Sequence, residues 1–102
     1  MNVQIKFENL ESDERLKNYV NEKVIMLTKY LGDIPILDAK VKLVMTSNHH
    51  QKGDIYECKI ALALPGETLR VSKVTSDIYK AIDKVKDHLA RSIEKYKDMH
   101  NN

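Results

Sequence analysis

The sequence is poor in the residues on which specialised chemistry usually rests. Among 102 residues there is one cysteine (Cys58), one phenylalanine (Phe7), no tryptophan, three glycines and two prolines. A single cysteine excludes an intrachain disulfide, and such usage suits a reducing cytosol. The glycines stand apart at 32, 53 and 66, so no glycine-rich loop exists to cradle a phosphate. No apolar run approaches the roughly 20 residues of a membrane-spanning helix. The opening "MNVQIKFENL" has no basic stretch followed by an apolar one, as a secretory leader would. Tyrosines fall mostly on core-like positions, so no exposed aromatic platform is expected for stacking unpaired bases. Charge of one sign is scarce too, with a formal net charge of +2. Any electrostatic function must therefore rest on where the charges lie.

What is present is periodic pattern. "NVQIKF" alternates, with Val3, Ile5 and Phe7 on one side, and reads as a strand. "NLESDERLKNYVNEKVIMLTKYLG" reads as a helix with Ser12 as N-cap and Asp13 and Glu14 in the first turn, where the helix dipole favours acids. Its Leu16, Val20, Val24, Leu27 and Leu31 recur at helical spacing, and Gly32 ends it. Alternation returns in "ILDAKVKLVMT", where Ala39, Val41, Leu43 and Met45 share one face. It returns again in "IYECKIALAL", where Tyr56, Cys58, Ile60, Leu62 and Leu64 do. The polar "SNHHQKGD" between them reads as a loop, and "PGE" at 65–67 as a tight turn leading into the strand "TLRVSKV". Ser76 is the expected cap of the last helix.

The order β-α-β-β-β-α predicts an α+β two-layer sandwich: a four-stranded, mostly antiparallel sheet with two helices packed on one face. The other sheet face carries Lys40, Lys42, Glu57, Lys59 and Arg70 and should be wetted. Residues 1–98 read as one domain and 99–102 as a disordered tail.

The last helix is unusually basic. At about 100° per residue, Ile78, Ile82, Val85, Leu89, Ile93 and Tyr96 gather in a core-facing sector. Lys80, Lys84, His88, Arg91 and Lys95 gather roughly opposite, each above the last. The acids Asp83, Asp87 and Glu94 lie to one side. This ridge spans about 15 residues, or roughly 22 Å, long enough to meet several phosphates. The first helix adds Arg15, Lys17, Lys23 and Lys29, and side-by-side helices would line the groove between them with positive charge. Outward-facing lysines are also what an ordinary solvated helix carries, so pattern alone leaves both readings open. Binding, if it occurs, would read backbone shape and charge.

Catalytic and metal chemistry find little support. His49 and His50 are adjacent and lack the spacing of a metal pair, and Cys58 lies on the apolar side of a strand as a buried, inert thiol would. No Ser/His/Asp order or paired acid in an apolar setting is present. The chain reads as no enzyme, with no cofactor, no membrane partner and no small-molecule substrate.

Several stretches resemble the ribosome hibernation-promoting factors, also called protein Y or ribosome-associated inhibitors. They are "LPGETLR" at 64–70, "DIYKAID" at 77–83, "LARSIEKYK" at 89–97 and "ERLKNYVNEKVIMLTKYL" at 14–31. The resemblance implies the same β-α-β-β-β-α fold. It also implies a cytoplasmic factor that binds the small ribosomal subunit through 16S-type ribosomal RNA, in the channel of messenger and transfer RNA. There it blocks translation and preserves idle ribosomes under stress. Lys23 matches a basic position of the family's first helix, and Arg91 and Lys95 match basic positions of its last. Asp77 matches a capping position and Tyr79 a packing or hydroxyl-bonding one; Asp83 also matches the segment. Met26 and His88 stand where the family usually has a basic residue, and Lys86 where it commonly has an apolar one. Lys80, Lys84 and Lys86 would compensate. The expected RNA-binding set is Lys23, Lys29, Lys80, Lys84, His88, Arg91 and Lys95. Long members of the family carry a second domain that joins two ribosomes; this chain reads either as a short form without it or as a domain of a longer protein. The competing expectation is a protein-interaction module with a transcription-related partner on the wetted sheet face or an edge strand.

Overall fold

The computed structural model describes residues 2–46, 53 and 55–100. Six elements follow one another: β1 (Val3–Glu8), α1 (Glu14–Leu31), β2 (Asp38–Met45), β3 (Tyr56–Leu64), β4 (Glu67–Thr75) and α2 (Ile78–His100). The strands form one open sheet in the order β1-β2-β3-β4. β1 and β2 run parallel, because α1 carries the chain back along the sheet before β2 begins. The β2–β3 and β3–β4 pairs are antiparallel. Thus the sheet is mixed, and β1 and β4 are its edges.

Strand alternation sets the two faces. Ala39, Val41 and Leu43 of β2, Cys58, Ile60, Leu62 and Leu64 of β3, and Leu69 of β4 point under the helices and are buried. They meet Leu16, Val20, Val24, Leu27 and Leu31 of α1 and Ile78, Ala81, Ile82, Val85, Leu89, Ile93 and Tyr96 of α2 in a single core. Met45, expected on that face, is exposed at the end of β2. The inert reading of Cys58 holds: its thiol is fully buried, and desolvation, with Glu57 adding to it, pushes its pKa up to about 12.

The helix starts differ from expectation by one residue. Asp13, not Ser12, caps α1: its backbone is extended and its carboxylate accepts the Arg15 N–H at 2.8 Å. The same carboxylate holds the Arg15 guanidinium, a contact Ser12 could not make. Asp77, in the capping role the resemblance implied and not Ser76 as periodicity suggested, caps α2. Its carboxylate accepts the Tyr79 N–H at 2.9 Å, and its carbonyl accepts the Ala81 N–H. Thr75 fixes this corner, its hydroxyl donating to the Asp77 carbonyl and accepting from the Asp77 N–H.

The far end of α2 also departs from the reading. The helix continues through Met99 and His100 rather than ending before them. Two contacts hold this end against the β3–β4 turn: the Tyr96 hydroxyl donates to the Pro65 carbonyl at 2.6 Å, and His100 Nε2 lies 3.2 Å from Glu67 Oε1. The turn is the two residues Pro65 and Gly66, and Gly66 takes φ 83°, as the third position of a type II turn requires.

Candidate nucleic-acid interface

α1 and α2 lie side by side on the sheet, and the contacts between them define which flank of α2 faces α1. Tyr19 donates its hydroxyl to Asp83 at 2.6 Å, and its ring meets Tyr79 edge-on at 4.9 Å. Lys97 of α2 donates to the Tyr30 carbonyl of α1 at 2.8 Å. Tyr79, Asp83 and Lys97 thus mark the flank toward α1. Lys80, Lys84, His88, Arg91 and Lys95 are turned from that flank by roughly 130° on average at about 100° per residue. They face the outer edge of the molecule, above β4, and not the seam between helices.

That placement corrects the expected groove. Lys23 lies in the seam, with Nζ 3.4 Å from Asp83 Oδ1 and 4.8 Å from the centre of the Tyr19 ring. Its charge is met by Asp83 and the ring face. The hydrogen bond to that same carboxylate, with desolvation, raises Tyr19 to about 12. Lys29 is exposed in the last turn of α1, apart from the ridge. Asp83 in the seam and Asp87 beside it make the outward side of the groove mixed in sign rather than basic. Lys86, offered as a compensating cation, is paired with Asp87 at 2.9 Å.

The ridge is different. Lys80, Lys84, Arg91 and Lys95 are exposed, and among the described residues none has a carboxylate within 4.0 Å. Four cations therefore stand along one flank of one rigid helix with no internal counter-ion.

A fifth cation was missed by sequence reasoning. Lys73 of β4 occupies the inward parity of its strand, opposite Cys58 in the register. Because β4 is an edge strand, that side chain emerges beside α2 and lowers the pKa of His88, as do Arg91 and Lys95. The available signal was a lysine at a core-parity position, a pattern that marks edge strands.

His88 sits at the centre of this field. Its Nδ1 is buried without a hydrogen-bond partner. Desolvation first, then Lys73, Arg91 and Lys95, hold its pKa below 6.5. The ring is thus neutral at neutral pH and turns cationic only on acidification. Since the unfolded chain takes up this proton first, the group's contribution to stability is complete above pH 6.5 and is lost as pH falls through the folded pKa. Nuclear magnetic resonance titration of the His88 ring protons should give a midpoint below 6.5 in the unbound protein. Addition of RNA should raise it, because phosphate favours the imidazolium. A midpoint at or above 6.5 in the unbound protein would contradict the assignment.

Tyr79 packs on Tyr19, in keeping with the packing role expected of it. His49 and His50 lie outside the described residues. Among the described residues, no group of three potential metal ligands occurs, and no helix is long and apolar enough to cross a membrane.

The sequence matches the family described as sigma 54 modulation protein / S30EA ribosomal protein over residues 3–101. This protein belongs to that family. It is 32% identical over 90 residues to the ribosome hibernation promotion factor of Staphylococcus aureus, covering 88% of this chain and 45% of that protein. The chain therefore spans less than half the length of that relative. Among solved structures, the N-terminal domain of protein Y from Thermus thermophilus superposes with a TM-score of 0.78 at 29% identity, covering 94% of this chain and 99% of the other. A ribosomal subunit interface protein from Coxiella burnetii gives 0.79 at 18% identity over 96% of this chain and 99% of that one, a likeness of fold.

Proposed function

We propose that this protein is a non-enzymatic translation inhibitor. It binds the small ribosomal subunit in the cytoplasm, against 16S-type ribosomal RNA in the channel used by messenger and transfer RNA, and promotes ribosome hibernation under stress. One observation carries the reading: the α2 flank holds Lys80, Lys84, Arg91 and Lys95 exposed and without carboxylate partners among the described residues, while Lys23, Lys42 and Lys86 are paired. Cations on a rigid helix need no backbone ordering to meet phosphates and no carboxylate partner to be exchanged, and the counterions condensed on the phosphates are released to solvent. Family membership and the name of the Staphylococcus aureus relative support the ribosome as the source of those phosphates.

The expected site is Lys80, Lys84, Arg91 and Lys95, with Lys73 added and His88 joining as it protonates. Lys23 and Lys29 belong to the proposed set as well; Lys23 must first exchange Asp83 for a phosphate, so its net contribution is smaller. The test is co-sedimentation with small ribosomal subunits across a salt series. Log affinity should fall linearly with log salt, with a slope of roughly 0.7–0.9 per phosphate contact, of which Lys80, Lys84, Arg91, Lys95 and Lys73 supply about four. Protein left in the supernatant at low salt would refute the proposal.

A further inference from the structure

The sheet face that no helix covers carries its own electrostatic problem. In the register, Lys6, Lys42 and Lys59 lie side by side across β1, β2 and β3. Strands are about 4.8 Å apart, so three ammonium stems rise within roughly 10 Å. Like charges directly opposed across strands destabilise a sheet. The next row outward reads Gln4, Lys40, Ala61 and Arg70. Ala61 is thus a small floor with Lys40 on one side, Arg70 on the other and Lys59 two residues along its own strand. Above it lies a trough of about 520 Å³, lined by Lys6, Lys40, Lys42, Lys59 and Arg70 together with Glu57. A smaller trough continues over Ala61 and Ala63 between Lys40 and Arg70.

The acids of this face stand at its ends. Glu8 and Glu57 share the row on one side, and Asp38 the row on the other. Only Lys42 has a carboxylate partner, Glu8 at 3.6 Å; among the described residues Lys6, Lys40, Lys59 and Arg70 have none within 4.0 Å. Folding thus gathers five cations into two adjacent rows and leaves four of them unneutralised.

We infer that this trough is a second binding surface for the sugar–phosphate backbone of an RNA segment, separate from the α2 ridge. Charge complementarity selects a polyanion. Rows two residues apart are separated by roughly 6.7 Å along a strand, so cations meet an extended chain repeatedly, and the alanine floor leaves room for it to approach. The trough has no aromatic anchor of the kind that centres a protein interface. It is also continuous with the ridge around the β4 edge, where Lys73 on the helix side and Arg70 on the open side are three residues apart. The protein is thereby built to lie between two RNA segments, one on each side of β4. The inference rests on the ribosomal reading above.

The test compares the unaltered protein with a sheet-face variant, Lys40→Gln/Lys59→Gln/Arg70→Gln, and a ridge variant, Arg91→Gln/Lys95→Gln. Salt-dependent binding is measured to small ribosomal subunits and, separately, to a short free RNA hairpin. The sheet-face side chains are exposed, and removing their mutual repulsion should leave thermal stability unchanged or slightly raised. The expected result is a salt slope lower by about 2 for the sheet-face variant on both probes, at roughly 0.7 per single-strand contact. An unchanged slope in that variant, with the ridge variant weakened, overturns the sheet-face surface and leaves the ribosomal reading intact. If the unaltered protein ignores ribosomal subunits, the ribosomal reading fails, and the hairpin decides: a lower slope for the sheet-face variant upholds the surface, an equal slope overturns it. Displacement of RNA from the sheet face by polyglutamate at equal charge would overturn it in favour of an acidic protein partner.

Discussion

Reversing two ridge charges together, with Arg91→Glu and Lys95→Glu, is expected to weaken association with small ribosomal subunits by roughly 10²–10⁴-fold. Each residue stands exposed on the α2 flank without a carboxylate partner among the described residues, so a charge-assisted contact to phosphate, as proposed above, would contribute about 1.5–3 kcal/mol with no ion pair among the described residues to exchange. Glutamate is as good a helix former as the residues it replaces. The reversal does extend Asp87 into a run of three acids at four-residue spacing, through positions 91 and 95, costing a few tenths of a kcal/mol per pair. The neutral pair Arg91→Gln/Lys95→Gln avoids that cost and should lower the salt slope by about 2. Circular dichroism and thermal unfolding establish that both variants fold; co-sedimentation then gives the affinity. Binding equal to that of the unaltered protein in the reversed variant would remove the ridge from the interface.

The ridge was legible because it depends on one period. Residues of α2 fall into a core sector and a basic sector by helical geometry alone, and burial of Ile82, Val85, Leu89 and Ile93 follows the same wheel. The strands were legible for the same reason, with period two in place of about 3.6. Boundaries slipped where two good caps are adjacent, as at Ser12 and Asp13 or Ser76 and Asp77, since local propensity does not choose between them. What no periodicity holds is which neighbour lies on which flank. The groove expected between α1 and α2 required the ridge to face α1. It faces away, because the flank bearing Tyr79, Asp83 and Lys97 is the one that finds Tyr19 and Tyr30. Likewise Lys23 and Asp83 are far apart in the chain, and only their meeting across the seam shows that this lysine is already paired. Lys73 escaped notice because alternation assigns it to the core side, and only the strand order makes that side an open edge.

A core substitution beneath the ridge should have the opposite signature. Leu89 is fully buried in α2, between the ridge positions 88 and 91 in sequence but pointing into the joint core. Leu89→Ala removes three buried heavy atoms and leaves a cavity that the surrounding Leu, Ile and Val side chains fill incompletely, at a cost of about 2–5 kcal/mol. A domain of this size has roughly 5–15 kcal/mol in total, so the thermal midpoint should fall by about 10–25 °C. The ridge side chains are untouched, and alanine preserves the helix that carries them. Below the new midpoint, the folded fraction should therefore bind small ribosomal subunits with the same salt slope as the unaltered protein. Any loss of affinity should match the unfolded fraction measured by urea titration. A loss of stability under about 1 kcal/mol, well short of the cavity cost, would deny Leu89 its place in the core. A lowered salt slope with stability intact would mean that the ridge depends on the core for more than a fixed helix axis.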